Sequence, residues 1–162
     1  MRVLGIDPGT SVCGYGVVDL NGPDLHTVDY GVVRAPARWP LHERLKVIHE
    51  GLAAVIERHK PQVVAVEGVF HGVNPRTAIK IGEGRGVALL AAAQAGLPVA
   101  EYSPATVKKA VVGAGRAGKS QVQQMVRVLL ALSDLPRPED AADALAIAIC
   151  HCHRGHAETP GR

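Results

Sequence analysis

"RVLGIDPGTSVCGYGVVDLNGPDLHTVDYGVV", residues 2–33, decides the fold. It holds three apolar, β-branched runs, at 2–7, 12–20 and 25–33. Asp7-Pro8-Gly9 and Asn21-Gly22-Pro23 punctuate them, and both are strong turn signals. Three strands joined by short turns predict an antiparallel meander. Beyond it the periodicity changes. Leu41, Leu45, Ile48, Leu52, Val55 and Ile56 recur at helical spacing, so an amphipathic helix is expected over roughly 40–59. "QVVAVE" (62–67) is a β-branched run suited to a strand buried on both faces. Asn74-Pro75 reads as an N-cap with a first-turn proline, opening a helix that runs to about Gln94 and stops at Gly96. "LPVAEY" (97–102) is a fifth strand. Helical segments follow near 104–112 and 120–132, separated by the glycine-rich "GAGRAGKS", and a last helix is expected over about 138–153.

The order βββ, then αβαβ, then helices predicts an α/β fold: a five-stranded mixed sheet with helices on both faces. If the fourth strand lies parallel beside the first, Asp7 and Glu67 end neighbouring strands at one edge, where ligands of open α/β sheets gather.

The chain has 162 residues, 47% apolar and 20% charged, an ordinary globular composition that fits one domain over 1–154, with the polar tail 155–162 expected to be disordered. No apolar run approaches a membrane span and the N-terminus lacks a signal-peptide layout, so a soluble, cytoplasmic protein with no membrane partner is expected. Three cysteines (Cys13, Cys150, Cys152) make no disulfide framework. Charge is unevenly spread. Over 71–130, Arg76, Lys80, Arg85, Lys108, Lys109, Arg116, Lys119 and Arg127 face only Glu83 and Glu101. Such a segment is either a solvated face or a polyanion-binding one.

The last helix carries "DAADALAIAIC" (140–150), in which nine of eleven residues are apolar and the exceptions are Asp140 and Asp143. Positions i and i+3 share a helix face. Asp140 suits a helix start, where negative charge is favoured. Asp143 is harder to explain, because alanines and a leucine flank it and no Lys or Arg lies between Asp140 and Arg154. A buried charge costs several kcal/mol unless paired or bound to metal. The face is expected to meet Asp7 and Glu67, and four converging carboxylates would repel by about 4 kcal/mol per pair at about 4 Å. Two Mg²⁺ or Mn²⁺ ions, which take oxygen ligands, would relieve this and equip the site for phosphodiester hydrolysis.

"GIDPGTSVCGYGVV", "VVAVEGVFHGVN", "GEGRGVALLAAAQ", "VVGAGRAGKSQVQQMV" and "DAADALAIAICHCH" resemble, in order and spacing, the successive blocks of the RuvC family of Holliday junction resolvases, over about residues 2–153. The resemblance implies an RNase H-like fold and a homodimer that cuts opposed strands of four-way junction DNA with Mg²⁺ or Mn²⁺. It also implies a branch-migration motor of the RuvA and RuvB type as partner. By matching motif, Asp7, Glu67, Asp140 and Asp143 are the catalytic metal ligands. Some relatives carry histidine where this chain has Asp140.

Phe70, the only phenylalanine, lies three residues past Glu67. It either tucks into the core or stacks on an unpaired base, the role of the matching aromatic in the family. Arg76 and Lys80, four apart, share a helix face near the same loop: a solvated face, or a DNA-binding one. Lys108 and Lys119 match family lysines that contact the DNA backbone. "GAGRAGKS" is only superficially a Walker A loop, since two residues rather than four separate Gly115 and Gly118. "CHCH" (150–153) lacks zinc-ligand spacing, and its histidines suit a helix C-terminus. Gly82, Gly84 and Gly86 permit close approach of another element, so the 74–95 helix is expected near a dimer interface. Three other functions remain in view: an RNase H-type enzyme cutting RNA in hybrids, a DNA-binding module without catalysis, and an ATP-binding protein of the actin or sugar-kinase type, whose first phosphate loop "GIDPGT" resembles.

Overall fold

A computed structural model describes residues 1–68, 72 and 74–155. Strands β1 (Arg2–Asp7), β2 (Val12–Asn21) and β3 (Asp24–Arg34) form the meander, and helix α1 (Leu41–His59) leads to β4 (Val63–Glu67). Helix α2 (Pro75–Gln94), strand β5 (Val99–Tyr102) and helices α3 (Pro104–Val112), α4 (Lys119–Leu129) and α5 (Glu139–Gly155) complete the chain. The sheet order is β3-β2-β1-β4-β5. The meander pairs are antiparallel, whereas β4 lies parallel to both β1 and β5. The mixed sheet expected from the sequence is therefore the one that forms.

Alternation along the strands divides the core in two. Leu4, Ile6, Val17, Val64 and Val66 pack with Ile48, Leu52, Val55 and Ile56 of α1 and the alanines of α2. Val3, Val18, Val63 and Ala65 point to the other face, against α3, α4 and α5. Asp7 continues the series Val3–Gly5–Asp7, and Glu67 continues Val63–Ala65. Strand periodicity therefore puts both acids on the α5 face.

That face is cut back to backbone where α5 crosses it. A Cβ on Gly5 would lie 2.1 Å from the Ala144 carbonyl oxygen, and one on Gly14 2.0 Å from the Asp140 carbonyl oxygen. A Cβ on Gly16 would lie 2.8 Å from Leu145 Cδ2. Gly5 pairs with Gly16, and Asp7 with Gly14, so the three glycines make one trough across β1 and β2. The alanine-rich, buried stretch 141–150 of α5 settles into it. Small residues on both surfaces replace the usual side-chain layer.

Element ends differ a little from expectation. Helix α4 stops at Leu129, three residues early, and Ala131 adopts φ +51° just beyond it. Helix α5 continues to Gly155, two residues further than expected. The rest of the tail, 156–162, lies outside the described residues.

Candidate active site

Asp7 ends β1, Glu67 ends β4, and Asp140 and Asp143 occupy the first turns of α5. One carboxylate oxygen from each of Asp7, Asp140 and Asp143 lies within 4.8 Å of the others. Asp7, Glu67 and Asp143 line one cleft of about 270 Å³ with Pro104, Val107, Lys108, Lys119, Val122, Ala146 and Ile147. Glu67, at the end of the strand next to Asp7, lines the same cleft without joining the tight cluster of the three aspartates.

The electrostatics record the crowding. Burial pushes the Asp7 carboxyl up to about 8, helped by the charge of Asp143 and by a hydrogen bond shared with Asp140. Burial also raises Glu67, as does the nearby Asp143, while Lys108 and Lys119 pull it back. Asp143 is raised by burial against the opposing pull of Lys119. These carboxylates share one need, a cation. All the donors are carboxylate oxygens, the set that fits a hard divalent ion such as Mg²⁺ or Mn²⁺.

One cation is already supplied by the chain. Lys119 Nζ lies 3.1 Å from Glu139 Oε2 and 3.4 Å from Asp143 Oδ2. Asp143 therefore has a basic partner, contrary to what its own helix suggests, and the partner comes from the start of α4. Lys119 is raised chiefly by its hydrogen bond to Glu139. Sequence reading pointed Lys119 at DNA and missed this pairing, because loop 113–118 brings the side chain across from another helix. The Gly118 N–H donates to Gln121 Oε1 (2.8 Å), so the turn before α4 presents the Lys119 ammonium, more than its amides, to the cleft.

The other candidates separate into groups. Lys108 lines the acid cleft. Arg76 and Lys80 line a neighbouring groove with Thr10, Leu41, Arg44, Ile79 and Glu83. The Gly9–Thr10 turn connects the two places: Gly84 of α2 abuts Gly9, where a Cβ would lie 2.9 Å from the Gly9 nitrogen. Gly84 thus serves close packing inside the chain, while Gly82 and Gly86 face open space. Phe70 lies outside the described residues.

Arg44, which sequence reading passed over, holds the turn. Its Nη1 donates to Thr10 O (3.2 Å), Thr10 Oγ1 (3.1 Å) and Ser11 Oγ (2.8 Å), and its Nε to Trp39 O (3.1 Å). No local pattern announces an arginine on α1 as the clamp for a turn 33 or 34 residues away. Arg85 of α2 forms an ion pair with Glu101 of β5, and the Gly68 N–H donates to Tyr102 O (2.8 Å), which secures the chain just past Glu67.

The remaining motifs resolve into structure. The loop "GAGRAGKS" follows helix α3, which ends on Gly113 at φ +89°, so no strand leads into it as a Walker A loop requires. In "CHCH", Cys150 and Cys152 are buried, with burial pushing the thiols up to about 11 and about 12. His151 Nδ1 meets the Tyr102 hydroxyl (2.7 Å) and His153 Nδ1 meets Ala110 O (3.0 Å). The histidines fasten α5 to β5 and α3, a lateral role beyond the helix-end preference expected of them.

A family model described as crossover junction endodeoxyribonuclease RuvC matches residues 3–151. The chain belongs to the RuvC family. A crossover junction endodeoxyribonuclease RuvC of Desulfitobacterium hafniense is 55% identical over 153 residues, 94% of this chain and 93% of that protein. The corresponding protein of Chloroflexus aggregans is 56% identical over the same shares. The solved structure of T. thermophilus RuvC in complex with Holliday junction substrate superposes with a TM-score of 0.92 at 41% identity, covering 98% of this chain and 97% of that one. The RuvC fold, with its five-stranded mixed sheet, is thus the fold of this chain. Among the described residues, no helix is long and apolar enough to cross a membrane.

Proposed function

We propose that this RuvC-family chain is a metal-dependent endonuclease that resolves four-way DNA junctions in recombination and repair, by paired nicks leaving 3′-hydroxyl and 5′-phosphate ends. The observation that carries the reading is the convergence of Asp7, Asp140 and Asp143, with Glu67 at the neighbouring strand end, at a cleft lined by two lysines. These four acids are the ligand set for two Mg²⁺ or Mn²⁺ ions. Bound there, the cations supply Lewis acidity toward water and the scissile phosphate.

The chain's own groups do the rest. Asp7, raised by burial, gives up its proton as the site loads. Lys108 and Lys119 hold phosphate oxygens beside the cleft, and Lys119, now paired with Asp143, would be free to do so once Asp143 served as a metal ligand. Arg76 and Lys80 extend the contact along the groove past Thr10. Phe70 stacks at an unpaired base near the crossover.

A four-way junction has two-fold symmetry, so two sites must act together. On α2, Ile79 and Leu90 are exposed apolar residues, and Gly82 and Gly86 lie open between them. At 79, 82, 86 and 90 these share a face, which fits a homodimer interface. A branch-migration motor of the RuvA and RuvB type, delivering junctions in the cytoplasm, rests on family resemblance alone.

The test is incubation with a synthetic four-way junction and with an RNA–DNA duplex, each with Mg²⁺, Mn²⁺ or excess chelator. Symmetric junction nicks that need metal are expected, and Glu67→Gln should lower cleavage by at least a hundredfold while junction binding persists. Nicking in chelator, preference for the hybrid duplex, or full activity of Glu67→Gln would reject the reading.

A further inference from the structure

Lys108 of α3 and Lys119 of α4 line the acid cleft. A further groove, of about 520 Å³, opens beside the α5 N-terminus, with Gln123 of α4 in its lining. It is lined by Arg34, Gln123, Leu135, Pro136, Arg137, Pro138 and Glu139. Arg34 is the last residue of β3, opposite Val12 of β2. Since Gly14 of β2 pairs with Asp7, the end of β3 lies at the same sheet edge as the ends of β1 and β4. Arg137 comes from the segment just before Asp140. Two arginines, from elements far apart in sequence, therefore line one groove on the surface that carries the acids.

Both arginines are exposed, and neither joins any of the ion pairs among the described residues. The one acid lining the groove, Glu139, is paired with Lys119 at 3.1 Å. The groove thus keeps its positive charge, with the Gln123 amide as a further hydrogen-bonding group. The Glu139–Lys119 ion pair stands between groove and cleft, since the first residue lines the groove and the second the cleft. Planar, always-charged guanidiniums suit phosphate oxygens, which they bind in a fork.

We propose that Arg34 and Arg137 form a second phosphate clamp, which holds the sugar-phosphate backbone of the DNA strand where it leaves the acid cleft past the N-terminus of α5. The proposal rests on the nuclease reading above. It assigns the strand a path from Lys108 and Lys119 at the cleft to Arg34 and Arg137 beside the α5 N-terminus.

The experiment measures junction binding to the full chain against salt concentration, in chelator so that no strand is cut. Wild type, Arg34→Gln/Arg137→Gln and Arg34→Lys/Arg137→Lys are compared, with melting temperatures recorded. Each lost phosphate contact lowers the log–log salt slope by about 0.9, so the glutamine pair should flatten it by nearly two units and weaken low-salt binding about tenfold. The lysine pair should keep most of the slope. If wild type binds and cuts junctions but the glutamine pair keeps the wild-type slope, the clamp is overturned and the nuclease reading stands. If wild type neither binds nor cuts, the nuclease reading falls and takes the clamp with it. Should the glutamine pair melt early, the single variants Arg34→Gln and Arg137→Gln decide: singles that melt normally and each flatten the slope by about 0.9 uphold the clamp, and singles that melt normally and keep the wild-type slope overturn it.

Discussion

The two faces of the sheet solve the same packing problem in opposite ways. On one, Leu4, Ile6, Val17, Val64 and Val66 interlock with Ile48, Leu52, Val55 and Ile56, and the thickness of the side chains sets the distance between helix and sheet. On the other, Gly5, Gly14 and Gly16 offer bare backbone to the alanine face of α5. There the absence of side chains sets the distance. A helix on the first face could shift slightly and repack. A helix in the glycine trough is located by backbone contact, and it carries Asp140 and Asp143 to Asp7. The contrast separates a face built for stability from one built to fix where carboxylates meet.

The largest effect should come from filling the trough. In Gly14→Ala the new Cβ would sit 2.0 Å from the Asp140 carbonyl oxygen, a backbone atom that cannot swing aside. The N-terminal end of α5 must then lift away from β1 and β2. Overpacking of this kind costs about 1–3 kcal/mol or more. A displacement on the order of 1 Å at a catalytic group costs about a hundredfold in rate. Junction cleavage should fall at least that far, with the melting temperature lowered. Cleavage within threefold of wild type would mean that α5 is not held by the trough.

Much of this was legible beforehand. The meander showed in two turn signals, α1 in its six spaced apolar residues, and the start of α2 in Asn74, whose Oδ1 does accept the Thr77 N–H (2.9 Å). The four acids were legible because Asp143 had no reason to sit in an apolar helix unless something else required it. What stayed hidden depends on contacts between distant segments. Gly5 inside a strand hints at close backbone approach. Nothing local says that Asp140 and Ala144 are what approach. Likewise Lys119 reads as a DNA contact, and its bond to Asp143 follows only once loop 113–118 has placed α4 beside α5. Arg34 and Arg137, more than 100 positions apart, share a groove only through the course of β3 along the sheet edge.

A second test exploits the price of crowding the acids on the trough side. Unfolded, Asp7 releases its proton near 3.8; folded and free of metal, near 8. Between those values the folded state holds the extra proton. Stability contributed through Asp7 is therefore greatest below about pH 4 and falls as pH rises toward 8, by on the order of a few kcal/mol. In chelator, Asp7→Asn should melt progressively higher than wild type as pH is raised from 4 to 8, with the gap closing in acid. Adding Mg²⁺ or Mn²⁺ should raise the wild-type melting temperature, more at pH 8 than at pH 6 because loading must displace protons, and should do little for the variant. A gap between the two proteins that does not change with pH would show that Asp7 ionises normally.

The smallest effect belongs to the opposite face, where it completes the comparison. Ile48, fully buried on α1, belongs to the core cluster that takes in Leu4, Ile6, Val17, Val64 and Val66 of the sheet. Ile48→Val removes one methylene, a loss of about 0.5–1.5 kcal/mol through burial and a small cavity. None of the four site acids stands on that face, and neighbouring side chains can relax toward the gap without moving backbone at the sheet edge. Denaturant unfolding should register the loss as a lower midpoint with an unchanged slope. The junction cleavage rate should stay within about twofold of wild type, a barrier change under about 0.4 kcal/mol, since the loss falls on folding stability and leaves the acids in place. If so mild a change on the α1 face slowed cleavage as much as Gly14→Ala does, the two faces would be mechanically coupled, and the glycine trough would lose its separate role in placing the carboxylates.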